Sequence, residues 1–192
     1  MDIASLYRRT VESWTDRVKT VGPEQWQATT PCTDWDVRAL VNHVVGEDLW
    51  TEPLMRGQTI ADVGDRLDGD LLGSDPRETA LAAAEQATST VAEMLPTRGK
   101  VHLSYGDEDM EEYVAQLAAD HLIHGWDLAV ATGGDTRLDP ELVADVATWF
   151  AEREELYRSA GAVGPRGSAT GDAQSELLAA SGRDPGWSAP TS

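Results

Sequence analysis

The stretch AADHLIHGWDLAVATG, residues 118–133, decides how this chain folds. Its many apolar residues, spread around a helical repeat, are typical of a helix buried in a core. Yet Asp120, His121, His124 and Asp127 fall within the same two turns. Aspartate and histidine are costly inside a core unless they are paired or bound to something. The stretch therefore predicts a central helix that carries either buried polar pairs or a ligand site.

Outward from this helix, the chain is predicted to form more helices joined by polar connectors. Apolar spacing and capping residues predict helices over about 2–21, 35–55, 76–95, 108–132 and 140–157, with Thr33 as the N-cap of the second. Residues 56–75 are rich in glycine and aspartate and predict a loop with at most one helical turn, while 100–106 predict a short strand or extended crossover. The fold class expected is all-α, a four- or five-helix bundle.

The C-terminal part of the sequence changes character. Residues 158–192 contain small, flexible stretches and one short helical patch, Ser175–Ala180. We therefore expect a helical bundle over 1–157 and a C-terminal arm over 158–192, whose short helix packs on the bundle.

Composition limits the partners of this protein. The chain has 192 residues, of which 41% are hydrophobic, and a net charge of −19. Such an acidic protein repels phosphate backbones and anionic membrane surfaces, so we expect neither nucleic acid nor membrane partners. An apolar span, an export signal and a second cysteine are all lacking in the sequence, which favours a cytoplasmic protein without an internal disulfide. A monomer or a homodimer is expected.

Helical geometry places two of the polar residues on one face. At about 100° per residue, Asp120 and His124 lie within about 40° of each other, whereas His121 lies about 60° round and Asp127 on the opposite flank. Side chains one turn apart can reach a single ion, because their Cβ atoms are about 5–6 Å apart. The same spacing also suits a buried histidine that is simply paired with an aspartate, so the pattern alone leaves both readings open.

The second helix supplies a possible third ligand. His43 lies on the rim of the apolar stripe of that helix, and two antiparallel helices could bring it opposite Asp120 and His124. Two histidines and one carboxylate leave coordination positions open, which is the layout of a catalytic zinc site or of an iron or nickel site. His43 can equally be a partly buried helix residue without such a role.

Several other residues could take part in chemistry. Cys32 stands eleven residues before His43, about 16 Å along a helix, so we expect a structural thiol away from the site. Glu47 could be a fourth ligand, an acceptor for an imidazole N–H or a solvated acid. His121 could replace Asp120 as a ligand, and Asp127 has no assigned role. The remaining candidates are expected to be core tryptophans and a surface histidine: Trp35, Trp50, Trp126 and His102.

Two segments resemble a known family. TPCTDWDVRALVNHVVGEDLW (30–50) followed by DHLIHGWDLAVATG (120–133) is similar to the mycothiol-dependent maleylpyruvate isomerase-like group of the DinB superfamily. The closest likeness is to an actinobacterial branch of metal-binding proteins. It extends through TIADVGDRLDGDLLG and SELLAASGRDPGW, and thus over most of the chain.

The resemblance implies a DinB-like four-helix bundle with additional short helices. It also implies one divalent metal bound by His43, Asp120 and His124, with zinc preferred and nickel or iron as alternatives. The implied activity is that of a metal-dependent isomerase or thiol transferase, in which the metal activates a small-molecule thiol such as mycothiol for an electrophilic substrate. The characterised isomerase has glutamate at the position of Asp120, so a shorter side chain must reach the metal here. A non-catalytic protein that kept the bundle and the metal site is the alternative, and no catalytic base is named.

Overall fold

The computed structural model describes residues 1–189, and four long helices dominate it. The elements in chain order are α1 (Ile3–Thr20), α2 (Val37–Met55), α3 (Ile60–Val63), α4 (Pro76–Met94), β1 (Lys100–Leu103), β2 (Gly106–Asp109), α5 (Met110–Thr132), α6 (Pro140–Ala151), α7 (Glu154–Ser159) and α8 (Ala173–Ala180). Short 3-10 turns occur at Pro23–Gln25 and Leu95–Thr97. The expected all-α class is confirmed.

The long helices pack as a bundle around α5. Helix α1 lies along α5, α2 lies along α4, and each pair also contacts the other. The side chains of α5 are buried on nearly every side, as expected for a helix that is apolar all round. Trp14, Leu40 and Leu128 are among the fully buried side chains of the core. The helix that carries the polar cluster is thus the central element of the fold.

Aspartates begin most of the helices. The side chains of Asp2, Asp36, Asp75, Asp139 and Asp172 each accept a hydrogen bond from a backbone N–H of the first turn. A carboxylate there satisfies a free N–H and complements the positive end of the helix dipole. Part of the acidic composition therefore serves to define helix boundaries.

The structure corrects three of the expected boundaries. The N-cap of α2 is Asp36 rather than Thr33, so this helix begins two residues later than expected. The extended segment is an antiparallel hairpin in which β1 pairs with β2, and the pairing of Lys100 with Asp109 leads directly into α5. The expected fifth helix is broken into α6 and α7, because the chain turns at Arg153 and stacks Tyr157 on Phe150 with ring centroids 5.9 Å apart.

The segment after α7 returns to the bundle. Helix α8 packs on α6, and Leu177 and Leu178 are buried in the core. Gln174 fastens α8 to the connector after α5, since it accepts a hydrogen bond from Leu138 N (2.9 Å) and donates one to Thr136 O (2.8 Å). The last residues of the expected arm, 190–192, lie outside the described residues. Within residues 1–189 no helix combines the length and the apolarity needed to cross a membrane.

A charged pair is buried between α2 and α5. Asp48 Oδ1 lies 3.2 Å from His121 Nε2, and both side chains are 0% exposed. Because His121 Nδ1 donates to Leu117 O at 2.7 Å, Nε2 can donate to Asp48 only if the ring is protonated. Burial opposes that protonation, but the Asp48 carboxylate more than offsets it and raises the pKa of His121 above its ordinary value. His121 therefore belongs to the core of the bundle.

We predict that this pair stabilises the bundle in a pH-dependent way. Asp48→Asn should lower the free energy of unfolding by about 3 kcal/mol near pH 6, because it leaves the His121 charge buried without its partner. A raised histidine pKa gives stability that is full below about pH 6.5 and is lost as the pH rises through the folded-state value. Urea unfolding of both proteins should thus show a difference that shrinks as the pH rises through the raised pKa of His121. A difference that does not vary with pH would mean that His121 is neutral.

Candidate metal centre and cavity

His43, Asp120 and His124 meet between α2 and α5. His43 Nε2 lies 3.5 Å from Asp120 Oδ2, and His124 Nε2 lies 3.3 Å from Asp120 Oδ1. One ligand atom from each of the three residues falls within 4.8 Å of the other two. The structure thus brings together the three residues that the sequence singled out, and the shorter aspartate reaches both imidazoles.

Helix geometry and one tryptophan position these side chains. Asp120 and His124 are one turn apart on α5, while His43 reaches them from α2. The imidazole rings of His43 and His124 lie 5.0 Å apart at 72°. The Trp35 ring lies 4.9 Å from the His43 ring and 6.1 Å from the His124 ring. Trp35, which we expected in the core, therefore packs against the candidate ligands.

The three residues line a cavity of about 600 Å³. His43 and Asp120 are about 30% and 29% exposed, whereas His124 is 8% exposed, so the cluster opens into the cavity from one side. A volume of this order accommodates a small organic molecule. The arrangement is a partly buried cluster of polar side chains with open cavity space in front of it.

His124 is fixed from behind by a second carboxylate. Its Nδ1 donates to Asp127 Oδ2 at 2.9 Å, and the Asp127 side chain is 0% exposed. Metal-binding histidines commonly donate their second N–H to a carboxylate, which fixes the tautomer and turns the other nitrogen towards the ion. Asp127, which the sequence left without a role, orients Nε2 of His124 towards Asp120.

Cys32 is also at this cluster, and the expectation that it lies far away was wrong. Its Sγ lies 3.9 Å from His124 Nδ1 and donates to Asp127 Oδ2 at 3.3 Å. The expected distance assumed a continuous helix from Cys32 to His43. In the structure, residues 29–36 form a loop that is closed by a bridge between Thr29 and Asp36, and it folds back over α5.

Arg183 completes the cluster from the C-terminal part of the chain. Its Nη2 donates to Asp127 Oδ2 at 2.8 Å and to Cys32 Sγ at 3.4 Å. Cys32, His124 and Asp127 also lie close enough to share a metal ion. The guanidinium disfavours a second cation there, because it already neutralises Asp127. The group with His43 and Asp120 is therefore the better candidate metal centre.

The charges of these groups support one another. Burial opposes ionisation of Asp120, but His124 and His43 more than offset it and hold the pKa of Asp120 well below its ordinary value. Burial likewise opposes protonation of His124, yet Asp120 and Asp127 raise its pKa well above the ordinary value. For Asp127, His124 and Arg183 overcome burial and lower the pKa. In the metal-free protein, His124 is thus a cation between two carboxylates.

The remaining sequence candidates have different positions. Glu47 lines the cavity one turn after His43, where burial and the nearby Asp120 raise the pKa of its carboxyl group. His102 pairs with Asp107 at the surface, as expected. Trp126 is a core residue, again as expected.

Sequence reasoning missed part of the lining of the cavity. Arg183, Trp149 and Tyr157 line it, although they follow the candidate ligands by at least 25 residues in the sequence. Helical spacing carries no information about such distant contacts. The available signal was the group of aromatic residues at the end of the predicted fifth helix, where Trp149 was taken as part of the apolar stripe.

The fold and site together define a class: helical bundles that present a histidine–carboxylate–histidine cluster to a substrate-sized cavity. The family model for the mycothiol maleylpyruvate isomerase N-terminal domain matches residues 7–129, and the chain belongs to this family. The matched residues include Cys32, His43, Asp120, His124 and Asp127, whereas Arg183 and the wall with Trp149 lie beyond them. The resemblance seen in the sequence is confirmed.

Solved structures and relatives agree with this assignment. The crystal structure of the mycothiol-dependent maleylpyruvate isomerase and that of a mutant of it superpose with TM-scores of 0.61 and 0.64, over 86% of this chain and 73% of theirs. Sequence identity is 17% in both cases, so this likeness shows the fold. Two uncharacterized proteins of Mycobacterium tuberculosis, Rv0738 (strain ATCC 25618 / H37Rv) and MT0763 (strain CDC 1551 / Oshkosh), are 29% identical over 150 residues. That alignment covers 76% of this chain and 75% of each relative.

We predict that Arg183 stabilises the cluster through Asp127. Arg183→Ala should lower the free energy of unfolding by about 3 kcal/mol, because it removes the guanidinium from a fully buried carboxylate. Urea denaturation measures the change. Arg137→Ala is the matched control, since Arg137 pairs with Asp135 at the surface, where both side chains are largely exposed, and it should change stability little. Equal effects of the two substitutions would contradict a structural role for the Arg183–Asp127 pair.

Proposed function

We propose that His43, Asp120 and His124 bind one divalent metal ion. We also propose that the protein is an enzyme that uses this ion to activate a small-molecule thiol. The observation that carries the proposal is the convergence of these three side chains on the lining of a cavity of about 600 Å³. Zinc is the preferred metal because two imidazoles and a carboxylate form a common open zinc site, with nickel or iron as the alternatives.

The residues fit a metal ion on their own geometry. In a tetrahedral site with bonds of about 2.1 Å, two ligand atoms are about 3.4 Å apart. Asp120 Oδ2 lies 3.5 Å from His43 Nε2 and Asp120 Oδ1 lies 3.3 Å from His124 Nε2, so each carboxylate oxygen is at about this separation from one imidazole nitrogen. Asp120 Oδ2 is buried without a hydrogen-bond partner, which is unfavourable unless a cation is present. These distances and the unpaired oxygen support the proposal that the three side chains are metal ligands.

Each residue of the cluster has a part in the proposed chemistry. His43 and His124 would supply neutral nitrogen ligands, and Asp120 would supply a charged oxygen. Asp127 keeps the Nδ1 proton of His124, so that Nε2 is available. Arg183 balances the charge of Asp127, and Trp35 limits the movement of both rings. A bound divalent ion supplies a positive charge that lowers the pKa of a coordinating thiol.

Family membership supports mycothiol as the thiol and an isomerase or thiol-transferase reaction. The solved relatives are described as a mycothiol-dependent maleylpyruvate isomerase. In a thiol-transfer reaction, the sulphur forms a bond to an electrophilic carbon, the leaving group departs with the bonding electron pair, and the thiol proton passes to solvent. The cavity holds the electrophile beside the cluster, and its walls exclude part of the water.

We predict one metal ion per chain. Tag-free protein should take up about one equivalent of zinc, and His43→Ala should weaken binding by at least about 100-fold, because it removes one of three ligands. His102→Ala is the matched control, since His102 is a surface histidine outside the cavity. Metal analysis after dialysis gives the stoichiometry, and unchanged uptake in His43→Ala would remove His43 from the site.

The pH dependence of metal binding gives a further check on the same proteins. The ion must displace the Nε2 proton of His124, so the apparent affinity should fall as the pH drops below the raised pKa of His124.

We also predict thiol-dependent catalysis. Zinc-loaded protein should accelerate the reaction of mycothiol with an electrophile such as 1-chloro-2,4-dinitrobenzene. Asp120→Asn should lose most of this acceleration, because it removes the charged ligand at nearly constant side-chain volume. The absorbance of the conjugate follows the reaction. Full metal uptake without acceleration of any reaction, tested with a panel of electrophiles and with maleylpyruvate, would instead support the non-catalytic metal-binding protein.

A further inference from the structure

Part of the lining of the cavity is aromatic and aliphatic. Trp149, Phe150 and Tyr157 form a cluster with ring centroids 5.9–6.2 Å apart. Glu112 accepts a hydrogen bond from the Trp149 indole at 3.2 Å, and the Arg153 guanidinium lies 4.9 Å from the ring, so the indole is fixed in place. Aliphatic side chains also line the cavity: Ile123, Val146, Val163 and Leu177.

Positive charge is scarce in the cavity. Among residues 1–189, Arg183 is the one lysine or arginine that lines it. The Arg183 guanidinium already forms an ion pair with the buried Asp127, so its charge is balanced within the protein. Two carboxyl groups, Glu47 and Asp120, also line the cavity. An entering carboxylate would find no free cationic side chain on the walls described.

Counting the charges of a site that holds both the metal ion and a thiolate leads to the same expectation, namely that a carboxylate is disfavoured. A divalent ion with one Asp120 carboxylate leaves one positive charge, and a bound thiolate cancels it. A dicarboxylate would then be desolvated without a compensating charge, which is unfavourable. The net charge of −19 also disfavours approach of an anion from solution. An uncharged aromatic molecule has neither cost and gains contact with the ring cluster.

We propose that the electrophile taken by this cavity is an uncharged molecule with an aromatic or similarly flat apolar body, and not a carboxylate. This inference rests on the proposed function for the reaction that the electrophile undergoes. The selection of the ligand itself depends on the wall formed by Trp149, Phe150 and Tyr157. This substrate class thus differs from maleylpyruvate, the dicarboxylate after which the solved isomerase is named.

The experiment compares two unreactive probes that differ by one charge. 1,3-Dinitrobenzene is neutral, and 3,5-dinitrobenzoate carries the same ring and nitro groups with an added carboxylate. Quenching of tryptophan fluorescence, corrected for absorbance, reports binding because Trp35 and Trp149 line the cavity. We expect the neutral probe to bind at least about tenfold more tightly, both to metal-free protein and to protein with one equivalent each of zinc and mycothiol, in which the thiolate cancels the remaining charge of the ion.

A variant tests whether charge in the cavity sets this preference. Gln116 lines the cavity from α5, and Gln116→Lys should reduce the preference for the neutral probe by about tenfold, because it adds a free cation. Gln86→Lys makes the same replacement at an exposed position of α4 and should leave the preference unchanged. Circular dichroism verifies that both variants are folded.

Three outcomes would overturn the inference. They are equal or tighter binding of the benzoate to either form of the protein, no binding of the neutral probe up to its solubility, and equal effects of Gln116→Lys and Gln86→Lys. Because the probes are unreactive and the metal-free protein is included, the result is independent of metal uptake. Failure of zinc binding with an intact preference would reject the metal proposal and keep the selection for a neutral ligand.

Discussion

Burial of the polar residues of α5 is the constraint on which the rest of the structure depends. Two histidines and two aspartates lie within two turns of the most buried helix, and each must be paired where it lies. His124 contacts Asp120 and Asp127, and His121 contacts Asp48. The elements that surround α5 are positioned so that they supply the missing partners.

The partners of α5 separate a structural pair from a candidate site. On one side, Asp48 of α2 neutralises His121 in the closed core, where both side chains are fully buried. On another side, His43 reaches His124 and Asp120 beside a cavity. His121 and His124 of the same helix thus differ in role, because only one face of the helix meets open space. Burial alone does not distinguish them, since His121 and His124 are both buried.

The candidate metal centre and the cavity wall come from different parts of the chain. The ligands lie within residues 7–129, the part that the family model matches. Trp149 and Tyr157 lie beyond that part, on α6 and α7. Arg183 joins the two parts, because its guanidinium contacts Asp127 and Cys32 at the centre. The reaction chemistry and the choice of substrate can therefore depend on separate segments of the sequence.

The sequence by itself predicted the four long helices and, within the candidate site, the placement of Asp120 and His124 on one face of α5. Apolar periodicity is local, and so is the four-residue spacing that puts Asp120 and His124 on one face; both follow from the geometry of a helix. Capping aspartates similarly predicted where α4 and α6 begin. Only the tertiary structure decided that Cys32 and Arg183 meet His124, over 92 and 59 residues of sequence. Those contacts depend on a loop that folds back over α5 and on the packing of α8, and no local pattern encodes either.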